Sequence, residues 1–129
     1  ILQAVKTYTK GRVIVVFGCG GDRDTGKRPL MGEIAGRIAD YSIVTSDNPR
    51  TEDPEAIVKD IEAGISKTKG KYEIIVDRRE AIKKAIEMAN KKDLVILAGK
   101  GHEPYQEINK VKYPFDEREI VKEIINNMK

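Results

Sequence analysis

The sequence predicts an α/β fold: a Rossmann-like, mostly parallel twisted sheet with helices on both faces and an antiparallel strand at its edge. Three observations carry it. Apolar runs of strand length alternate with segments whose apolar residues recur every three or four positions. The run Val13-Ile14-Val15-Val16-Phe17 is continuous rather than alternating, the signature of a strand buried on both faces. Three of the strand runs end in polar loops, and in open parallel sheets ligands bind at the carboxyl ends of the strands.

Taken in order, residues 1–9 predict a short helix from the spacing of Leu2, Val5 and Tyr8, and residues 12–17 the first strand. Pro29 suits the first turn of a helix, where a missing N–H has no partner to lose, and Leu30, Ile34 and Ile38 follow at every fourth position. A short strand covers 41–45. Asp53 then caps a helix with Pro54 at its first position and Ile57, Ile61 and Ile65 along one face. Residues 72–76 are the third strand, and a helix over 79–90 buries Ile82, Ala85, Ile86 and Ala89. The fourth strand spans 93–98. Tyr105–Ile108 and Val111–Tyr113 flank Asn109-Lys110, a two-residue hairpin turn. The last helix is capped by Asp116 with Glu119 three residues on, and buries Ile120, Ile124 and Ile125. The order of elements places the strands at 12–17, 41–45, 72–76 and 93–98 at the centre of the sheet, with 105–113 as its antiparallel edge.

Length and composition narrow the function. A chain of 129 residues fits one domain with its own core. With 24 basic and 21 acidic residues the charge is nearly balanced, which argues against nucleic acid as a partner, as does the scarcity of aromatics for base stacking. The single cysteine, Cys19, cannot form an internal disulfide, and no Cys/His cluster suggests zinc. Cys19 is expected to pack behind the glycine loop as a small apolar residue. No apolar stretch approaches the roughly 20 residues that span a bilayer, and no signal peptide opens the chain, so no membrane partner and a cytoplasmic location are expected. The opening Ile1-Leu2-Gln3-Ala4-Val5 starts in mid-pattern, as a piece of a longer protein would.

The first loop contains two decoys. Gly21 to Lys27 matches the start of a phosphate-binding P-loop, but the magnesium-binding Ser/Thr position is Arg28, and Pro29 follows without a backbone donor. Gly18-Cys19-Gly20 begins a dinucleotide fingerprint, yet Arg23 stands where its third glycine belongs. The loop therefore meets charge with side chains more than with backbone. In the second loop, Pro49 disfavours helix at Asn48 and holds Asp47-Asn48-Pro49-Arg50 open. Two readings of it stand: a turn whose Asp and Asn bond their own backbone, or a receptor in which Arg50 offers its planar fork to a carboxylate. In the third, Gly99-Lys100-Gly101-His102-Glu103, the glycines allow close backbone approach and Glu103 suits an ammonium; His102, alone in the chain, reads as a structural hydrogen-bonder. No nucleophile–base pair is present. The residues by themselves predict a site for a charged small molecule.

The stretches Gly20-Gly21-Asp22-Arg23-Asp24-Thr25-Gly26-Lys27-Arg28-Pro29-Leu30-Met31-Gly32, Thr45-Ser46-Asp47-Asn48-Pro49-Arg50-Thr51-Glu52 and Ala98-Gly99-Lys100-Gly101-His102-Glu103-Pro104-Tyr105-Gln106 together resemble the C-terminal domain of the Mur ligases. More narrowly they resemble the branch that adds the third residue of the peptidoglycan stem peptide. The resemblance runs over essentially the whole chain, in order. It implies an amino-acid-binding domain of an ATP-dependent ligase whose UDP-sugar and ATP/Mg2+ domains lie outside this chain, so the fragment alone would not turn over. It also implies that Arg23, Asp47, Asn48, Pro49 and Arg50 hold the carboxylates and polar end of the amino acid, and that Gly99 and Glu103 take its distal ammonium. Members that use meso-diaminopimelate carry Asp-Asn-Pro-Arg in the second loop, as here, whereas many lysine-adding relatives lack the arginine. The remaining alternatives are a lysine-adding homologue, a non-catalytic binding domain of the same fold, and a nucleotide-binding flavodoxin-like domain.

Overall fold

A computed structural model describes residues 9–21, 25–98, 105–108 and 110–128. Residues 1–8 of the helix expected over 1–9 lie outside them, and Thr9 is not helical. The strands are β1 (Val13–Phe17), β2 (Tyr41–Val44), β3 (Lys71–Ile74), β4 (Leu94–Leu97), β5 (Tyr105–Ile108) and β6 (Val111–Pro114); the helices are α1 (Lys27–Ile38), α2 (Pro54–Ile65), α3 (Arg78–Met88) and α4 (Glu117–Met128).

β1 to β4 form one parallel sheet in the order β3-β2-β1-β4. Val16 pairs with Ile43 on one side and Leu97 on the other, so β1 is central and every one of its residues is buried. Its alternate side chains feed two cores, as a period of two requires. Val15 and Phe17 pack with Val44, Ile57, Ile61 and Ile65 under α1 and α2; Ile14 and Val16 pack with Ile43, Ala81, Ile82, Ala85, Ile120 and Ile124 under α3 and α4. The outer strands β3 and β4 are only half-buried, and Leu94 is exposed.

Local signals placed the helix starts well. The Asp53 carboxylate accepts from the Glu55 N–H at 3.0 Å with Pro54 at the first position, and Asp116 accepts from the Arg118 N–H at 3.0 Å. Three expectations are corrected. Leu30 and Ile34 are exposed, because α1 buries Arg28, Gly32, Ala35 and Gly36 instead. Those small residues let α1 and α2 touch backbone to backbone: a Cβ on Gly64 would lie 1.8 Å from the Pro29 carbonyl oxygen. Ile125 is likewise exposed, α4 burying Ile120 and Ile124. The hairpin forms, Ile108 pairing with Val111 and Lys110 in the left-handed region at φ 67°, while Asn109 of its expected turn lies outside the described residues. It is a separate two-stranded sheet rather than an edge of the main one, and a parallel β-bridge joins its Ile108 to Arg50 of the second loop.

Candidate functional site

The loops after β1, β2 and β4 leave the same rim, since their strands are parallel and share a register. The second loop is described in full. Asn48 and Pro49 are buried, Asp47 and Arg50 are half-exposed, and Thr51 is exposed. Arg50 is the tight point: its backbone stands at φ 52°, a left-handed conformation that a side chain adopts at a cost of about 1 kcal/mol or more.

The first loop is fastened to the second at Gly21. The Gly21 N–H donates to the Asn48 carbonyl at 2.7 Å, and Arg50 Nη1 donates back to the Gly21 carbonyl at 2.9 Å. A Cβ at Gly21 would fall 1.8 Å from the Pro49 carbonyl oxygen, so only glycine permits this approach. Arg23, two residues further on, lies outside the described residues, as do Gly99 and Glu103 and the lone His102. Of the seven residues expected to bind the ligand, the structure thus places Asp47, Asn48, Pro49 and Arg50 together on one loop.

Three residues that sequence reasoning passed over hold this rim in shape. Arg28, 1% exposed, donates from Nη2 to Glu52 Oε1 at 2.8 Å and to the Gly20 carbonyl at 3.2 Å, and from Nη1 to Glu52 Oε2 and Asp60 Oδ2, each at 3.0 Å. It joins the start of the first loop to the end of the second. The Glu52 bonds, then Asp60, push its pKa above the usual arginine value despite the opposing effect of burial. Arg78, also 1% exposed, donates to Glu117 Oε2 at 2.6 Å, to the Ser46 carbonyl at 3.0 Å and to the Ala98 carbonyl at 3.0 Å. Gln106 Nε2 in β5 donates to Ser46 Oγ at 2.9 Å and the Asp47 carbonyl at 2.6 Å, which seats the hairpin on the second loop. One signal was available for the arginines. Both stand in the first turn of a helix, where the macrodipole disfavours cations, so their placement needs another reason.

Cys19 is buried behind the first loop, and desolvation pushes its thiol up to about 11, ahead of the lowering effect of Arg28. It is an inert thiol, as expected. Nor do the described residues fit a nucleotide phosphate. The Arg28 N–H is taken by the Thr25 carbonyl at 3.2 Å, and the Arg28 side chain fills the place of a magnesium-binding hydroxyl while bonded to two carboxylates. A cavity of about 750 Å³ opens at the opposite end of the sheet, among Arg12, Asp40, Tyr41 and Lys67 to Lys71, remote from the loop rim.

Parallel α/β architecture, glycine-fastened loops at the strand ends and the half-exposed Asp47 and Arg50 on one of those loops are the features of a domain suited to a charged small molecule. Residues 1–101 match the glutamate ligase domain of the Mur ligases, and the chain belongs to that family as its C-terminal domain. It is 61% identical over 97% of its length to the UDP-N-acetylmuramoyl-L-alanyl-D-glutamate–2,6-diaminopimelate ligase of Caldanaerobacter subterraneus subsp. tengcongensis. To the ligase of the same name from Clostridioides difficile it is 56% identical over 99%. It spans 26% of each of those proteins. A solved structure of a ligase so named superposes with a TM-score of 0.92 at 50% identity, over 98% of this chain and 26% of that one. The likeness confirms the parallel fold. Among the described residues no helix is long and apolar enough to cross a membrane.

Proposed function

We propose that this domain receives meso-diaminopimelate for an ATP-dependent ligase that joins it to UDP-N-acetylmuramoyl-L-alanyl-D-glutamate in peptidoglycan biosynthesis, in the cytoplasm. The observation that carries the reading is the Asp47–Arg50 loop, which holds Arg50 half-exposed on the ligand rim in a backbone conformation that arginine would not adopt unaided. A guanidinium there suits the distal carboxylate that diaminopimelate has and lysine lacks. Arg23, Asp47, Asn48 and Pro49 complete the carboxylate end, with Gly99 and Glu103 on the distal ammonium. ATP and Mg2+, which supply the acyl phosphate that the amine attacks, and the UDP-sugar dipeptide belong to the remainder of the ligase; this piece alone is inactive. The high identity to ligases named for diaminopimelate supports the same substrate.

The test is steady-state kinetics of the full-length enzyme with Arg50→Ala. A charge-assisted bidentate pair is worth about 1.5–3 kcal/mol. The preference for meso-diaminopimelate over lysine should therefore fall by at least about tenfold. Because Arg50 also bonds the Gly21 carbonyl, an equal loss for both amino acids would make it a loop brace and not a carboxylate receptor. A wild-type preference for lysine would replace the reading.

A further inference from the structure

We propose that the outward face of α1 is a docking surface within the whole ligase: Leu30, Met31 and Ile34 seat an apolar segment of the same polypeptide that lies outside these 129 residues. The inference rests on the chain being a piece of such a ligase, and not on which amino acid the ligase adds.

The face exists because of how α1 packs. Its buried side is Arg28, Gly32, Ala35 and Gly36, and the small residues among them bring it hard against α2. A Cβ on Gly32 would lie 2.3 Å from the Ile61 carbonyl oxygen. The large apolar residues of the helix are thereby turned away from the domain's own core. Leu30 is 58%, Met31 41% and Ile34 53% exposed, and positions three and four apart are neighbours on a helix surface. Among the described residues no other element exposes three large apolar side chains. Exposed apolar residues standing singly need no explanation, but a contiguous row marks a contact surface. On a helix whose outer face met only water, those positions would be polar.

The position of the row argues for its occupant. Leu30 stands in the first turn of α1, two residues after Arg28, whose guanidinium holds Gly20 and Glu52 of the two rim loops. The row therefore starts beside the ligand rim and runs down its flank. The chain spans 26% of each ligase named above from Caldanaerobacter and Clostridioides, so most of such a polypeptide lies outside it. Under the proposed function that part has to reach this rim, where the amine meets the acyl phosphate. Arg37, at the far end of the row, is already paired with Glu33 one turn back. An apolar segment can thus lie between it and the rim without stranding a guanidinium.

The experiment uses the full-length ligase with Leu30→Cys, its other exposed cysteines changed to Ser, carrying a benzophenone maleimide. Heavy- and light-isotope protein are mixed, photolysed with and without ATP and the UDP-sugar dipeptide, and mapped by mass spectrometry. The same label on Lys83→Cys, exposed on α3, is the control. The expected cross-link, in at least one of the two conditions, joins position 30 to apolar peptides outside residues 1–129 of the same molecule, and the control lacks it. With Leu30→Ser and Ile34→Ser together, kcat should fall by about tenfold while KM for the amino acid stays within about threefold, because the rim itself is untouched. Cross-links only within residues 1–129, isotope-mixed cross-links between two copies, or none at all overturn the inference and leave the substrate reading in place. A serine pair with wild-type kcat overturns it as well; should that pair prove insoluble, the cross-link decides. A wild-type preference for lysine replaces the substrate reading and leaves the docking surface standing.

Discussion

The two rims of the sheet are tied by opposite chemistry. Where the strands begin, carboxylates collect most of the ties, as backbone N–H groups: Asp93 accepts from the amides of Arg12 and Asn90, and Asp40 from that of Val13 at 2.7 Å, with one guanidinium, Arg12, also taking the Met88 carbonyl. Where the strands end, guanidiniums collect carbonyls: Arg28 takes Gly20, Arg50 takes Gly21, and Arg78 takes Ser46 and Ala98. The difference teaches why the ligand rim sits at one end. A short carboxylate can tie only neighbouring segments. A long arginine spans loops on different strands, and it leaves them in a defined arrangement.

The largest expected effect that would break this comparison is at Glu117. Changing it to Gln leaves a fully buried guanidinium with neutral partners only, a loss of about 3 kcal/mol, read as a lower midpoint in chemical unfolding. Arg28→Met should cost less, about 2 kcal/mol, because the acids left behind, Glu52 and Asp60, are 29% and 47% exposed and return to water. Should the two losses be equal, burial of the charge left behind would not be what separates the two sites. Glu52→Gln comes next, at about 1 kcal/mol, since Asp60 still balances the charge.

The smallest effect is expected at the opposite rim. Asp93 is held below the usual carboxylate range, first by the Asn90 amide, then by the Arg12 amide, with the Arg12 guanidinium adding to both. A depressed carboxylate stabilises the fold above its unfolded pKa of about 3.9. That contribution is lost as pH falls through the folded value. The stability difference between wild type and Asp93→Asn should therefore be constant near neutrality and shrink below about pH 4. A difference that persists undiminished into stronger acid would show that Asp93 acts through shape and not charge.

How much of this was legible depended on how local the cause was. β1, the Asp53 cap and the pairing of Ile108 with Val111 follow from a few adjacent residues, and all lie where expected. α1 was misjudged because its buried face is Gly32, Ala35 and Gly36, which carry little hydrophobic signal, while the apolar Leu30 and Ile34 face outward. Nothing in the hairpin's own sequence says whether it joins the main sheet, since that depends on a partner edge far away. In the site, the loop after β2 was visible as polar residues stiffened by Pro49. The burial of Asn48 and Pro49 was not, and neither were Arg28 and Arg78, because a charged side chain reads by default as solvated.

The strand order has a consequence for how such a chain emerges from the ribosome. β1 pairs with β2 soon after both are made, but its other neighbour begins 81 residues after Arg12, at the Asp93 turn that opens β4. At about 5–20 residues per second, the most buried strand of the domain spends several seconds with one row of backbone groups unpaired. For most of that interval only α1 and α2 are made, which cover one of its faces; α3, which begins to cover the other, comes just before β4, and α4 after it. Until then the nascent domain has an open central edge, and its folding is completed only after β4 docks there and α4 packs Ile120 and Ile124 onto the second face.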